Sequence, residues 1–256
     1  MRILVTNDDG IFAPGLQALV EDFSGAGHTV YVCAPDRERS CISHAATLNA
    51  PLHAEPRDIP GAALAWAVDG TPSDCAALGL FLCRKMGLDL VVSGVNRGMN
   101  QGGACIYSGT VAAAMEAAMH GVQAMAVSLC VRPFGGEDRS DYGPAARVAL
   151  RVADWIADHP LPRGVIYNLN VPSIPYEALK GIQPATLAPV FLGEVDYDVL
   201  EDEGGACYRL RNNEPVPMDD LEYDTCKNSQ GYVTLTKLTW DFRLNADDSE
   251  LGRIEL

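Results

Sequence analysis

Residues Arg2-Ile3-Leu4-Val5-Thr6 have the composition of a buried strand, and the strand breaks off into Asn7-Asp8-Asp9-Gly10. Two adjacent carboxylates at such a strand end leave few designs open. Side-by-side acids in an apolar setting are costly unless a positive group neutralises them. In an open α/β sheet, the C-terminal ends of strands are where ligands bind. Neighbouring side chains diverge on an extended strand, so both acids can face one ion only from a turn. Their hard oxygens suit Mg²⁺ or Mn²⁺. The plainer role of either acid is to cap the Asp9-Gly10 turn.

The remaining pattern supports such a sheet. Leu16, Leu19, Val20 and Phe23 share one face of a helix predicted over residues 16–26. Strands are expected at 29–33, at a segment ending on Val68, and at 88–93, 124–129 and 165–169. Helices are expected at 72–82, with Pro72 in the first turn, and at 110–120 and 142–157. Strands alternating with helices of this length predict an α/β chain with a mostly parallel, doubly wound sheet. Polar clusters follow the strand ends, and convergence on one sheet edge is expected.

From about residue 181 the periodicity fades. Residues 194–224 hold eleven acids and two arginines, a net charge of −9. A strand returns at 233–238, followed by 239–244. We expect residues 1–180 to form the core and 181–256 an extension with hairpins, suited to subunit contacts or a lid. The acidic run is expected to be a solvated face.

Composition removes several function classes. With 19 basic and 34 acidic residues the chain carries a formal charge of −15. Long nucleic acids and anionic membranes are poor partners for that balance, although a local cation site can still hold a nucleotide. The 8 cysteines form no Cys-x-x-Cys pair. Buried thiols in a reducing, cytoplasmic setting are expected. Residues 1–6 read directly as a strand, so no signal peptide is expected, and no apolar run is long enough to span a bilayer. No His-x-x-His or His-x-x-x-His pair supports zinc chemistry, and no Gly-x-Ser-x-Gly elbow supports a serine hydrolase.

Four further segments carry candidate chemistry. In Ala34-Pro35-Asp36-Arg37-Glu38-Arg39-Ser40, Ser40 is a candidate to ligate metal or hold water. Arg37 or Arg39 is a candidate to meet a phosphate, and plain surface is the alternative. The loop from Ser93 to Gly103 holds Asn96, Asn100 and several glycines that let backbone amides approach an anion. It lacks the Gly-Lys-Ser/Thr ending of a Walker A loop, and a flexible surface loop is its alternative. In Tyr107-Ser108-Gly109-Thr110-Val111, Ser108 or Thr110 caps a helix whose N-terminus suits a phosphate. In Asp69-Gly70-Thr71-Pro72-Ser73-Asp74-Cys75, capping by Thr71 or Ser73 is the simpler reading.

These motifs together resemble the SurE family (survival protein E) of metal-dependent 5′/3′-nucleotidases. The resemblance rests on Asn7-Asp8-Asp9-Gly10, Ala13-Pro14-Gly15, Ala34-Pro35-Asp36-Arg37 with Ser40, and Gly70-Thr71-Pro72-Ser73-Asp74-Cys75. It continues through Asp89-Leu90-Val91-Val92-Ser93-Gly94-Val95-Asn96-Arg97-Gly98-Met99-Asn100 and Tyr107 to Val111. Asn168-Leu169-Asn170-Val171-Pro172 and Gly231-Tyr232-Val233-Thr234-Leu235-Thr236 complete it. It implies a Rossmann-like sheet with helices on both faces and a C-terminal extension that builds homodimers, often homotetramers. It further implies hydrolysis of nucleoside monophosphates with one divalent ion, Mg²⁺ or Mn²⁺, per subunit. Asp8, Asp9, Ser40 and Asn96 map onto the metal ligands; Asn7, Asn100, Ser108, Gly109 and Thr110 map onto the phosphate pocket. The chain departs at Cys41, where family members usually carry glycine, and at Ala104-Cys105, where many carry an acid.

The implied mechanism is direct hydrolysis, with Asp8 or Asp9 as candidate proton acceptor. A phospho-aspartyl route is the rival within the class. A non-catalytic metal- or nucleotide-binding regulator on the same fold is the rival outside it, and an acidic scaffold for basic partners is a third reading.

Overall fold

The computed structural model describes residues 1–131, 140–189, 196–202, 205–211 and 221–241. In chain order the elements begin with β1 (Arg2–Thr6), α1 (Pro14–Gly25), β2 (Thr29–Pro35), β3 (Ala54–Pro56), β4 (Ala62–Val68) and α2 (Pro72–Leu82). They continue with β5 (Leu90–Arg97), α3 (Gly109–Met119), β6 (Gln123–Cys130), α4 (Gly143–Asp158) and β7 (Val165–Pro172). The last are β8 (Ile182–Pro184), β9 (Tyr197–Asp202), β10 (Gly205–Leu210), α5 (Asp224–Ser229) and β11 (Val233–Thr239). The expected stretch 239–244 is described only as far as Asp241.

Nine strands form one sheet in the order β3-β4-β2-β1-β5-β6-β7-β11-β8. From β4 to β7 neighbouring strands run parallel. β3 and β11 pair antiparallel with β4 and β7, respectively. β9 and β10 form a separate antiparallel hairpin. The expected α/β sheet with helices on both faces and a C-terminal hairpin is therefore present. After β1 the chain moves to β2 on one side, and it later returns to β5 on the other. The gap beyond the ends of β1 and β5 is thus a topological switch point, where open α/β sheets bind ligands.

Alternation along β1 divides the core. Ile3 and Val5 face α1 and α4, packing with Leu16, Leu19, Phe23, Ala149 and Val152. Leu4 faces α2 and α3 with Cys75, Ala114, Ala117 and Ala118. The small alanine face brings α3 close to the sheet, so its first turn lies near the end of β1. Each fully buried Leu, Ile or Phe contributes roughly 1.5–3 kcal/mol. α2 starts on a capping box: Thr71 accepts from the Asp74 N–H, and Asp74 accepts from the Thr71 N–H.

One boundary differs from expectation. The strand predicted to end at Ser93 continues to Arg97, with a register shift between Ser93 and Asn96 and a cis Gly94–Val95 peptide. Asn96 therefore lies in the last part of a strand rather than in a loop. The glycines and asparagine there hide continued pairing, because Asn96 and Arg97 still pair with Ser128 and Leu129 of β6. Among the described residues, no helix is long and apolar enough to cross a membrane.

Candidate active site

Asn7 shapes the turn at the end of β1. Its Nδ2 donates to the Gly10 carbonyl at 2.8 Å, and its Oδ1 accepts the Gly10 N–H at 3.2 Å. Gly10 has φ +104°, a conformation that side chains resist. The side chain of Asn7 is thus spent on the turn that presents Asp8 and Asp9.

Asp8 is 4% exposed. Thr110, in the first turn of α3, grips its carboxylate: the hydroxyl donates to Oδ1 at 2.5 Å and the N–H to Oδ2 at 3.2 Å. Burial pushes the Asp8 carboxyl above its ordinary range, and the Thr110 bonds oppose that shift. A Cβ on Gly109 would stand 2.9 Å from the Asp8 Cβ and 3.0 Å from Pro72 Cγ, so this approach of helix to carboxylate needs glycine. Asp9 is half-buried and accepts the Arg97 N–H at 3.2 Å, which links it to the end of β5.

The loop after β2 meets the same place. The Arg39 N–H donates to the Asp8 carbonyl at 2.7 Å, which carries the next residue, Ser40, to the side of the Asp8 turn. Ser40 is exposed, and its hydroxyl donates to Glu38 Oε1 at 2.8 Å. Arg39 is committed to the fold, donating to the Asp69 carbonyl at 2.7 Å and pairing with Asp36 at 3.5 Å. Arg37 pairs with Asp36 at 3.4 Å and stays largely solvent-facing. Asn96 is half-buried; its Nδ2 donates to the Gly98 carbonyl at 2.9 Å, which leaves Oδ1 as the acceptor.

Ser108, not Thr110, caps α3, with its Oγ accepting the Val111 N–H at 3.0 Å. The Thr110 N–H goes to Asp8, so the Gly109 N–H is the first-turn amide without an acceptor among the described residues. That amide and the Ser108 hydroxyl stand at the positive end of the helix dipole.

Asn100 sits deeper. It is 6% exposed, and its Nδ2 donates to Ser128 Oγ at 2.8 Å. Its backbone is clamped by Asn170, which accepts the Asn100 N–H at 2.9 Å and donates to the Asn100 carbonyl at 3.0 Å. Asn168 donates to the same carbonyl at 2.8 Å. The side chain of Asn100 thus braces the loop from below.

The residues group accordingly. Asp8, Asp9, Ser40, Asn96, Ser108, Gly109 and Thr110 stand around the ends of β1, β2 and β5 and the start of α3. Asn7 and Asn100 support them. Two carboxylates, a hydroxyl and an amide oxygen are hard oxygen donors of the kind that suit Mg²⁺ or Mn²⁺. Among the described residues, no group of three or more His, Cys, Asp or Glu is placed to hold a metal; the set here contributes only two such residues.

Sequence reasoning missed Asp224, which is 0% exposed and therefore an exception to a solvated acidic face. Nothing local separates it from the neighbouring acids. The clamp by Asn168 and Asn170 did leave a signal, since residues two apart on a strand share a face.

The profile of the family described as Survival protein SurE matches residues 3–191. The 5′-nucleotidase SurE of Geobacter sulfurreducens is 43% identical over 94% of this chain and 88% of its own length. That of Clostridium botulinum is 37% identical over 99% of each chain. The crystal structure of the SurE protein from Aquifex aeolicus superposes with a TM-score of 0.79, at 31% identity over 95% of each chain.

Proposed function

The chain belongs to the SurE family, and from that premise we propose that the site at the β1/β5 switch point hydrolyses nucleoside monophosphates to nucleoside and phosphate. The observation that carries this assignment is the Asp8–Thr110 joint. It sets an acidic, cation-seeking turn against a helix N-terminus suited to an anion.

Asp8, Asp9, Ser40 and Asn96 would hold one Mg²⁺ or Mn²⁺ ion per subunit. When bound, that ion supplies Lewis-acid polarisation of the phosphoryl group and the attacking water. The chain's own groups do the rest. The Gly109 N–H and the Ser108 hydroxyl bind phosphoryl oxygens and stabilise charge that builds on them. Thr110 fixes the Asp8 carboxylate in direction. Asp8 or Asp9 is the acceptor of the water's proton. Asn7 and Asn100 hold the two flanking turns. The same proposal includes a homodimer or homotetramer, a cytoplasmic setting, and a division into a core through residue 180 and an extension carrying subunit contacts.

The test is phosphate release from a panel of nucleoside 5′- and 3′-monophosphates with Mn²⁺, Mg²⁺ or EDTA, beside Asp9→Asn. Metal-dependent release that Asp9→Asn abolishes is expected. Saturable nucleotide binding by folded, metal-loaded protein with no release would favour the regulator.

A further inference from the structure

The chemistry above makes no use of Asp224, the first residue of α5. Its Oδ2 accepts the Gly102 N–H at 2.9 Å. Its Oδ1 accepts the N–H groups of Ala188 at 3.0 Å and Thr225 at 2.9 Å. Its own carbonyl accepts from Gln101 Nε2 at 3.3 Å. One residue near the C-terminal end therefore joins three chain segments, and the glycine-rich loop is held at two successive residues.

All partners of this carboxylate are donors. The ionised carboxylate, an acceptor at both oxygens, matches this set of donors. Burial pushes the Asp224 carboxyl up, and the backbone amides of Gly102, Ala188 and Thr225 oppose that shift only in part. An apolar side chain would fill the same space without desolvating a charge. What the carboxylate alone achieves is to fix Gly102 relative to Ala188 and Thr225.

The position of Gly102 matters to the site. It begins a 3₁₀ turn, Gly102–Ile106, that runs directly into Tyr107 and the Ser108 cap. Upstream, Asn100 is gripped by β7. The path between these two anchors decides where the Ser108 hydroxyl and the Gly109 N–H stand. We propose that Asp224 is a positioning residue for the phosphate pocket, so that the C-terminal region forms part of the frame of the active site. This rests on the phosphate-pocket assignment above.

Asp224→Asn preserves size but turns one acceptor into an NH₂ donor, which must oppose either Gly102 or the Ala188–Thr225 pair. Three quantities separate the possibilities, all on the full-length protein. They are Mn²⁺ affinity, inorganic phosphate affinity of the Mn²⁺-loaded form, and kcat and KM on a nucleoside monophosphate. Losing a charge-assisted bond of this kind should raise the phosphate Kd and KM about tenfold, with kcat and Mn²⁺ affinity changed less than about threefold. Unchanged phosphate affinity overturns the proposal. Equal losses of Mn²⁺ and phosphate affinity also overturn it, because they mark general loosening. If Asp224→Asn does not fold, Gln101→Ala removes the second tie while keeping the carboxylate. Phosphate binding weakened about threefold at constant Mn²⁺ affinity is then the supporting result, and no change is the overturning one. Mn²⁺-loaded wild type that neither binds phosphate nor hydrolyses nucleotides would overturn the functional assignment itself, and this inference with it.

Discussion

At the scale of single residues, two positions carry strain or close contact that can be measured. Cys41 follows Ser40 and has φ +56°, in the left-handed region where a Cβ is crowded. Its thiol makes no demand for that backbone, so the conformation belongs to the loop and not to the residue. Cys41→Gly removes the Cβ, whereas Cys41→Ala keeps it. Glycine also widens the unfolded ensemble, which offsets part of the gain. The glycine variant should still be more stable than the alanine variant by about 1 kcal/mol in urea denaturation. Equal stabilities would show that the loop relaxes without cost. Gly109 is the opposite case, a glycine that other residues need. Its alanine variant would push against Asp8 Cβ at 2.9 Å and Pro72 Cγ at 3.0 Å. Displacing Asp8 should lower kcat/KM by up to about a hundredfold, with the circular dichroism spectrum unchanged. Wild-type kinetics in Gly109→Ala would mean that Asp8 is free to move without harm.

At the scale of elements, the loop after Ser40 is stitched to two helices. Ser43 bonds the carbonyls of Ile106 and Tyr107, and the Ala45 carbonyl accepts from Thr71. Thr47 bonds Asp74 of α2 through its N–H and hydroxyl. His44 meets Glu116 of α3 at 2.8 Å, and His120 meets the same carboxylate at 3.1 Å. The His44 bond holds the Glu116 carboxyl below its ordinary value of 4.5. A carboxyl depressed in the folded state stabilises it above the unfolded value, and that contribution is lost as pH falls below 4.5 through the folded value. Thermal melts from pH 6 down to about pH 3 should therefore fall more steeply for wild type than for Glu116→Gln. Parallel curves would show that the His44 contact stores no stability. Much at this scale was legible in the sequence. The periodic face of α1 and the apolar runs of β1 and β5 announce themselves, because burial on one side or both dictates residue type locally. β3 and β8 do not: each has three exposed residues and no period to detect. The candidate site divides the same way. Asp8 and Asp9 stand out beside an apolar strand. Thr110 gripping Asp8 and Asp224 holding Gly102 depend on partners more than a hundred residues away, and no local pattern records such pairs.

At the scale of the whole molecule, the question is what a divalent ion does to a chain of net charge −15. Asp8 is buried with Glu38 as a nearby like charge, and the cost of holding its charge there acts against folding when no cation is bound. An ion that binds only the folded chain adds RT ln(1 + [L]/Kd), about 2.7 kcal/mol at a hundredfold excess over Kd. For a chain of this size that corresponds to a rise in Tm of roughly 5–10 °C, reversed by EDTA. A surface rich in acids offers a competing explanation, since Mn²⁺ held diffusely near many carboxylates also relieves repulsion. Asp9→Asn distinguishes them. It removes one proposed ligand while the rest of the acidic surface stays, so its Tm should barely respond to Mn²⁺. Diffuse binding would raise both proteins equally and fade in 0.5 M salt, where the screening length is only about 4–5 Å. A variant that gains as much from Mn²⁺ as wild type would assign the effect to net charge and remove Asp9 from the ligand set.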